Sequence, residues 1–281
     1  MGKIEKRKQT VGDEDQFCNI RLLLGDKLRE IEDKEIVLVG TGSIGSNMAV
    51  ALAGNGFRKY KLIDGDIVSR RNIPLCDAFS LPDVGRYKVS VLARFLRRKY
   101  GNRIQVSVYP VYVDKVPINE IIKPDMLVLG VDNNLTKMFV TYQRMQANKP
   151  MVILGFWGWE ASYMLSIPAK TACWGCLFRP NSRAEIERIK QAQRCPEPEP
   201  NVPGAVIRGT VGRVVGVAAN EITKFMLGEG RVIQYYHFNA LTEEKVVRFL
   251  DSNHLRPDEQ CPICKKEVGI DAADLRKHTN G

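Results

Sequence analysis

A chain of 281 residues can bury one large core or two small ones, and its 44% apolar and 26% charged content is ordinary for a soluble globular protein. No apolar run reaches the roughly 18 residues of a membrane span, and the charged stretch 1–15 has no apolar core to act as a secretory signal, so a cytoplasmic protein is expected. The net charge of +10 is spread along the chain without an aromatic-basic motif, which ranks a solvated basic surface first, an acidic protein partner second and nucleic acid third.

In chain order, residues 1–16 read as an N-terminal arm and 17–34 as a helix with Leu22, Leu23 and Leu28 on one apolar side. Ile36 to Val39 is a short apolar run that stops at Gly40, the pattern of a buried strand. Ser46 to Asn55 reads as a helix of small residues and Lys59 to Ile63 as the next strand. A basic amphipathic helix follows over Tyr87 to Tyr100, then strands over Ile104 to Val113 and Met126 to Leu129, a helix over Leu135 to Ala147 and a strand over Met151 to Leu154. Strand and helix in alternation imply a parallel sheet covered on both faces. After residue 155 the pattern changes to strands at Tyr163 to Ile167, Val232 to Phe238 and Glu244 to Phe249, with one helix over Gly209 to Leu227. Pro196, Pro198, Pro200 and Pro203 exclude a helix between them and indicate an extended crossing segment.

Gly40, Gly42 and Gly45 form G-x-G-x-x-G between a strand and a helix, where the backbone admits a phosphate and the helix N-terminus offers free N–H groups. Asp64, at the end of the next strand, is placed to bind ribose hydroxyls. The loop alone does not separate NAD from ATP. The residues after it do: Lys88 can neutralise phosphate charge, and Asp132 can hold Mg2+ beside phosphate oxygens. An NAD-dependent oxidoreductase would account for Gly40 to Asp64 but not for Lys88 or Asp132.

Cys173 and Cys176 make one C-x-x-C pair, Cys261 and Cys264 another, with 84 residues between the pairs. Four thiolates suit Zn2+ in a closed, structural site; the alternative is two unrelated reducing pairs. Phe156, Trp157 and Trp159 are read as core or dimer contacts, and Cys18 and Cys76 as buried thiols. His237, His254 and His278 lie outside every motif.

Taken together, these residues resemble the ThiF/MoeB/HesA family of adenylyltransferases, relatives of ubiquitin-activating E1 enzymes. The likeness runs from about Ile31 to Cys264. It rests on Gly40 to Gly45, the D-x-D of Asp64 and Asp66, Asn72, the V-G-x-x-K of Val84 to Lys88, the D-N of Asp132 and Asn133, the two cysteine pairs, and the G-T-x-G of Gly209 to Gly212. It implies a Rossmann-like E1 adenylation fold over 17–270. An ATP-binding half, 31–155, would carry a parallel sheet extended by antiparallel strands from a zinc/substrate half, 156–270, and 271–281 would be a loose tail. It implies ATP and Mg2+ held by Gly40, Gly42, Gly45, Asp64, Asp66, Asn72, Lys88, Asp132 and Asn133, with Asn72, Lys88 and Asp132 taking part in catalysis. Zn2+ would sit on Cys173, Cys176, Cys261 and Cys264. The implied substrate is a small ubiquitin-like or sulfur-carrier protein ending in Gly-Gly, adenylated at its C-terminal carboxylate by a homodimer. Cys195 is a candidate for onward thioester or persulfide transfer. In two places the chain departs from the family. The arginine of the family's N-L-x-R-Q stretch is replaced at Leu75, with Arg70 and Arg71 nearby at the wrong spacing, and Arg21 only loosely matches the arginine that crosses the family's dimer. These departures raise an alternative, a non-catalytic E1-like protein that binds partners.

Overall fold

The computed structural model describes residues 16–178, 206–261, 263 and 264. Two short helices, α1 (Cys18–Leu24) and α2 (Lys27–Asp33), precede β1 (Glu35–Val39), α3 (Ser43–Gly54) and β2 (Lys59–Ile63). Next come α4 (Lys88–Tyr100), β3 (Gln105–Tyr109), α5 (Ile118–Ile122), β4 (Met126–Leu129), α6 (Asn134–Gln146) and β5 (Met151–Trp157). The remaining elements are β6 (Glu160–Ser166), α7 (Trp174–Phe178), α8 (Arg208–Leu227), β7 (Ile233–Asn239) and β8 (Lys245–Phe249).

Among the described residues, the eight strands form one sheet in the order β3-β2-β1-β4-β5-β6-β7-β8. The first five pair in parallel and the last three antiparallel. This is the expected parallel sheet with an antiparallel extension. Strand alternation divides the core in two. Ile36, Leu38, Leu62 and Val128 face a layer formed by α3, α4 and α8, whereas Val37, Val39, Leu127 and Leu129 face α6 and the cysteine region. Both faces are covered, so the central strands read as unbroken apolar runs rather than alternating ones. Helices α3 and α8 pack side by side, and the Asn55 side chain at the end of α3 donates to Thr223 Oγ1 of α8 at 3.0 Å.

The structure corrects several expectations. The helix expected over 17–34 is two helices broken at Gly25–Asp26. The break turns Leu22 and Leu23 outward, 80% and 77% exposed, while Leu28 is buried. The strand expected to reach Val113 ends at Tyr109, because Pro110 has no N–H for the ladder. Trp157 and Trp159 are exposed at the β5–β6 hairpin rather than placed in this chain's core, and Cys18 is only partly buried. Residues 1–15, the Pro-rich crossing segment with Cys195, His278 and the tail 271–281 lie outside the described residues.

A buried charge holds the N-terminal edge of the parallel strands together. The Arg144 guanidinium donates to the carbonyls of Ile121, Ile122 and Pro124 at 3.1, 3.3 and 3.0 Å, and also to Pro150. Burial pushes its pKa down to about 9, and Asp125 opposes that shift. Arg144→Ala would leave several buried carbonyls unpaired at once. We expect a loss of about 3 kcal/mol in stability, read from the denaturant midpoint; an unchanged midpoint would show that the cluster contributes little.

Candidate nucleotide site and cysteine cluster

The order β3-β2-β1-β4-β5 reverses direction between β1 and β4, so the loops leaving these two strands diverge and open a crevice at their C-terminal ends. The glycine loop leaves β1 there, and the Gly130–Asn133 loop leaves β4. The two loops press together. Gly40 has φ of 85°, and a Cβ on it would lie 2.7 Å from Val131 Cγ1 and 2.9 Å from Gly130 O. A Cβ on Gly45 would lie 1.9 Å from Gly40 O. Gly45 therefore allows the start of α3 to sit directly against the strand end. Gly45→Ala should cost about 3 kcal/mol by overpacking and should abolish nucleotide binding; a folded Gly45→Ala protein with wild-type binding would remove the loop from the site.

Asp64 follows β2 and fastens this loop. Its Oδ2 accepts from Thr41 N at 2.7 Å and Thr41 Oγ1 at 3.0 Å, and its Oδ1 accepts from Asp66 N at 2.9 Å. Burial pushes the Asp64 pKa up, Lys88 and the backbone donors oppose the shift, and Asp66 adds to it. Asp66 accepts from Lys88 Nζ at 2.7 Å and from Tyr112 OH at 3.1 Å. Lys88, the first residue of α4, is buried, and its backbone N–H donates to Asp66 O at 3.0 Å. Both ends of Lys88 are thus tied to Asp66, next to the aspartate that fastens the glycine loop.

The other expected residues take more local roles. Asn72 Oδ1 accepts from Ser69 N and Ser69 Oγ, both at 2.9 Å, closing a tight turn. Asn133 caps α6, accepting from Thr136 N at 3.0 Å. Asp132 lies exposed on the β4–α6 loop, on the same edge as the glycine loop. Gly42 precedes the first turn of α3, and its carbonyl accepts from Ser46 N and Ser46 Oγ. Arg70 and Arg71 are exposed on the turn that Asn72 closes.

Sequence reasoning passed over four residues here: Thr41, Asn47, Tyr112 and Arg208. Asn47 Nδ2 donates to Ser43 O at 2.7 Å and to Leu75 O at 2.6 Å, while its Oδ1 accepts from Asp77 N at 3.2 Å. The one available signal was an amide inside a helix of otherwise small and apolar residues; Tyr112 had none.

The four sulfurs of Cys173, Cys176, Cys261 and Cys264 all lie within 4.8 Å of one another. The closer separations are 3.5 to 3.8 Å. A tetrahedral zinc with Zn–S bonds near 2.3 Å places its sulfurs about 3.8 Å apart, so the cluster has the dimensions of such a site. Asp258 N donates to Cys176 Sγ at 3.3 Å, an outer contact typical of a thiolate ligand. The preceding segment is anchored by Ser166, whose hydroxyl donates to Ala172 O, and Ser166 pairs with Met151, the first residue of β5. The cluster therefore belongs to the edge of the sheet opposite the glycine loop. Four thiolates would fill a tetrahedral ion's coordination and leave no position open to a substrate, which suits a structural role.

The ThiF family pattern matches residues 16–263. The chain belongs to the ThiF family. Among curated relatives of this family, adenylyltransferase and sulfurtransferase MOCS3-1 of Zea mays is 26% identical over 254 residues, covering 89% of this chain and 50% of that protein. Sulfur carrier protein ThiS adenylyltransferase of Escherichia coli (strain K12) is 24% identical over 193 residues, covering 68% of this chain and 70% of that protein. The chain thus spans about half the length of the maize relative. The structure of E. coli MccB with ATP superposes with a TM-score of 0.68 at 20% identity, covering 90% of this chain and 75% of that one. This likeness establishes a shared fold. Among the described residues, no helix is long and apolar enough to cross a membrane.

Proposed function

We propose that this ThiF-family chain is an ATP-dependent adenylyltransferase that activates the C-terminal carboxylate of a small ubiquitin-like or sulfur-carrier protein ending in Gly-Gly. The reading rests chiefly on one observation: a buried lysine, Lys88, is held on Asp66 beside a glycine loop whose other side meets the Gly130–Asn133 loop. A fixed cation at that point serves a polyphosphate and has no task in hydride transfer.

In this reading Asp64 receives the ribose hydroxyls, the N–H groups at the start of α3 face phosphate oxygens, and Lys88 offsets charge as it builds on them. The carrier carboxylate attacks the α-phosphorus, an O–P bond forms, and the bond to the β-phosphate oxygen breaks to release pyrophosphate. Carboxylate is a weak nucleophile, so positioning and charge neutralisation supply most of the rate. Asp66 is engaged by Lys88 and Tyr112, and Asp132, exposed on the loop that leaves β4, is the acid assigned to Mg2+. That ion prefers one or two carboxylates together with phosphate oxygens, and it would add countercharge on the phosphates.

The reading extends to a cytoplasmic homodimer. Light scattering at micromolar concentration should give twice the chain mass, and a monomer would refute the shared site. Onward transfer through Cys195 is tested by intact mass after incubation with ATP and carrier. A thiol-sensitive adduct lost in Cys195→Ala supports it, and an adduct that survives moves the role to another cysteine. The adenylation itself is tested by exchange of labelled pyrophosphate into ATP, which should need a Gly-Gly-ending protein and be lost in Lys88→Ala.

A further inference from the structure

The start of α8 brings a second cation to the phosphate loop. The Arg208 Nη2 donates to both oxygens of Asp77 at 2.6 Å, and its Nη1 donates to Leu75 O at 3.4 Å. Leu75 O is also the acceptor for Asn47, whose same amide group bonds Ser43 O in the first turn of α3. The chain of contacts from Arg208 to the phosphate loop is therefore Arg208, Leu75 O, Asn47 and Ser43. Cys76 is buried, and its thiol contacts Ser46, also in the first turns of α3. Burial pushes that thiol up, while Ser46, Lys88 and Arg208 pull it down. One sulfur next to α3 is thus within electrostatic reach of both Lys88 and Arg208.

We propose that Arg208 is a phosphate-binding residue of this site, contacting the triphosphate of ATP from the Leu75–Asp77 side of the glycine loop. The inference rests on the adenylyltransferase reading. A guanidinium presents its N–H donors in a fork that matches a phosphate as well as a carboxylate. Asp77 grips one nitrogen of that fork with both oxygens and Leu75 O takes the other, so the side chain is oriented before a phosphate arrives. Arg208 also supplies a positive charge beside Leu75, where the sequence carries none.

The test is binding of a non-hydrolysable ATP analogue and of adenosine, measured by calorimetry on the zinc-loaded protein. Arg208→Ala should weaken the analogue about tenfold or more, the scale of a charge-assisted contact, and leave adenosine unchanged. Arg208→Lys should recover part of the loss. Asp77→Ala separates contact from scaffolding. It removes the carboxylate but keeps the guanidinium, still held by Leu75 O, so analogue affinity should fall clearly less than in Arg208→Ala. An Asp77→Ala protein as weak as Arg208→Ala would make the pair structural and overturn the proposal, as would wild-type analogue affinity in Arg208→Ala. Failure of the wild-type protein and of Lys88→Ala alike to bind the analogue would overturn the adenylyltransferase reading itself. Wild-type binding that is lost in Lys88→Ala but intact in Arg208→Ala would overturn only the role of Arg208.

Discussion

Stripping the metal from Cys173, Cys176, Cys261 and Cys264 is expected to unfold the half of the molecule that carries the antiparallel strands. The purified protein should contain one zinc per chain by elemental analysis. The four sulfurs close a contact between residues far apart in the chain, and Cys173, Cys176, Cys261 and Ile263 are continuous with the core that contains Met138, Met151 and Ile153. A structural zinc site of this kind supplies on the order of 10 kcal/mol of folding free energy, comparable to the whole stability of a domain. Without the ion, buried thiols remain packed against one another, and the segment between them loses its anchor. A strong chelator, or Cys173→Ser, should therefore produce a large drop in melting temperature. A metal-free protein that is folded and equally stable would contradict the assignment. Because the cluster lies at the sheet edge opposite the glycine loop, zinc loss should act on activity through stability, with no change in the activity of the fraction still folded.

The second large effect is expected at Asp132. Asp132→Ala should lower adenylation by at least about 10²-fold, the scale of removing one preorganised electrostatic group from a reacting centre. The residue lies on an exposed loop that begins with Gly130 packed against Ile44 and Gly45, so the substitution should leave the melting temperature near wild type. This separates it from Gly45→Ala, where binding and stability fall together. If Asp132 holds Mg2+, the variant should also show a weakened dependence of rate on magnesium concentration. Wild-type adenylation in Asp132→Ala would remove the residue from the site.

How much of the molecule is legible in the sequence depends on how local each interaction is. The glycine loop and the parallel strands are legible because each depends on neighbours a few residues away: an apolar run, a turn that only glycine permits, a helix start. The cysteine pairs are legible because two C-x-x-C spacings carry ligand chemistry in themselves. Other features depend on contacts between distant parts of the chain. Arg208 meets Asp77 across 131 residues, and nothing in the residues beside it marks the partner. Arg144 on α6 is buried by the carbonyls of Ile121 and Pro124, which come from a segment some twenty residues earlier. The five-residue helices α5 and α7 are too short to show a helical period. Gly25 marks the break in the sequence, yet the three leucines around it suggest one continuous face. Trp157 and Trp159 carry the composition of a core but lie exposed at a hairpin, where no layer among the described residues covers them.

The central claim, that this chain adenylates the C-terminus of a small protein, is tested most directly by exchange of labelled pyrophosphate into ATP. The zinc-loaded protein would be screened against small proteins ending in Gly-Gly from the same genome. The account predicts exchange that needs one such protein, is lost when its terminal Gly-Gly is removed, and is lost in Lys88→Ala. Exchange that persists at the wild-type rate in Lys88→Ala, or the absence of exchange with every such protein while ATP still binds, would contradict it.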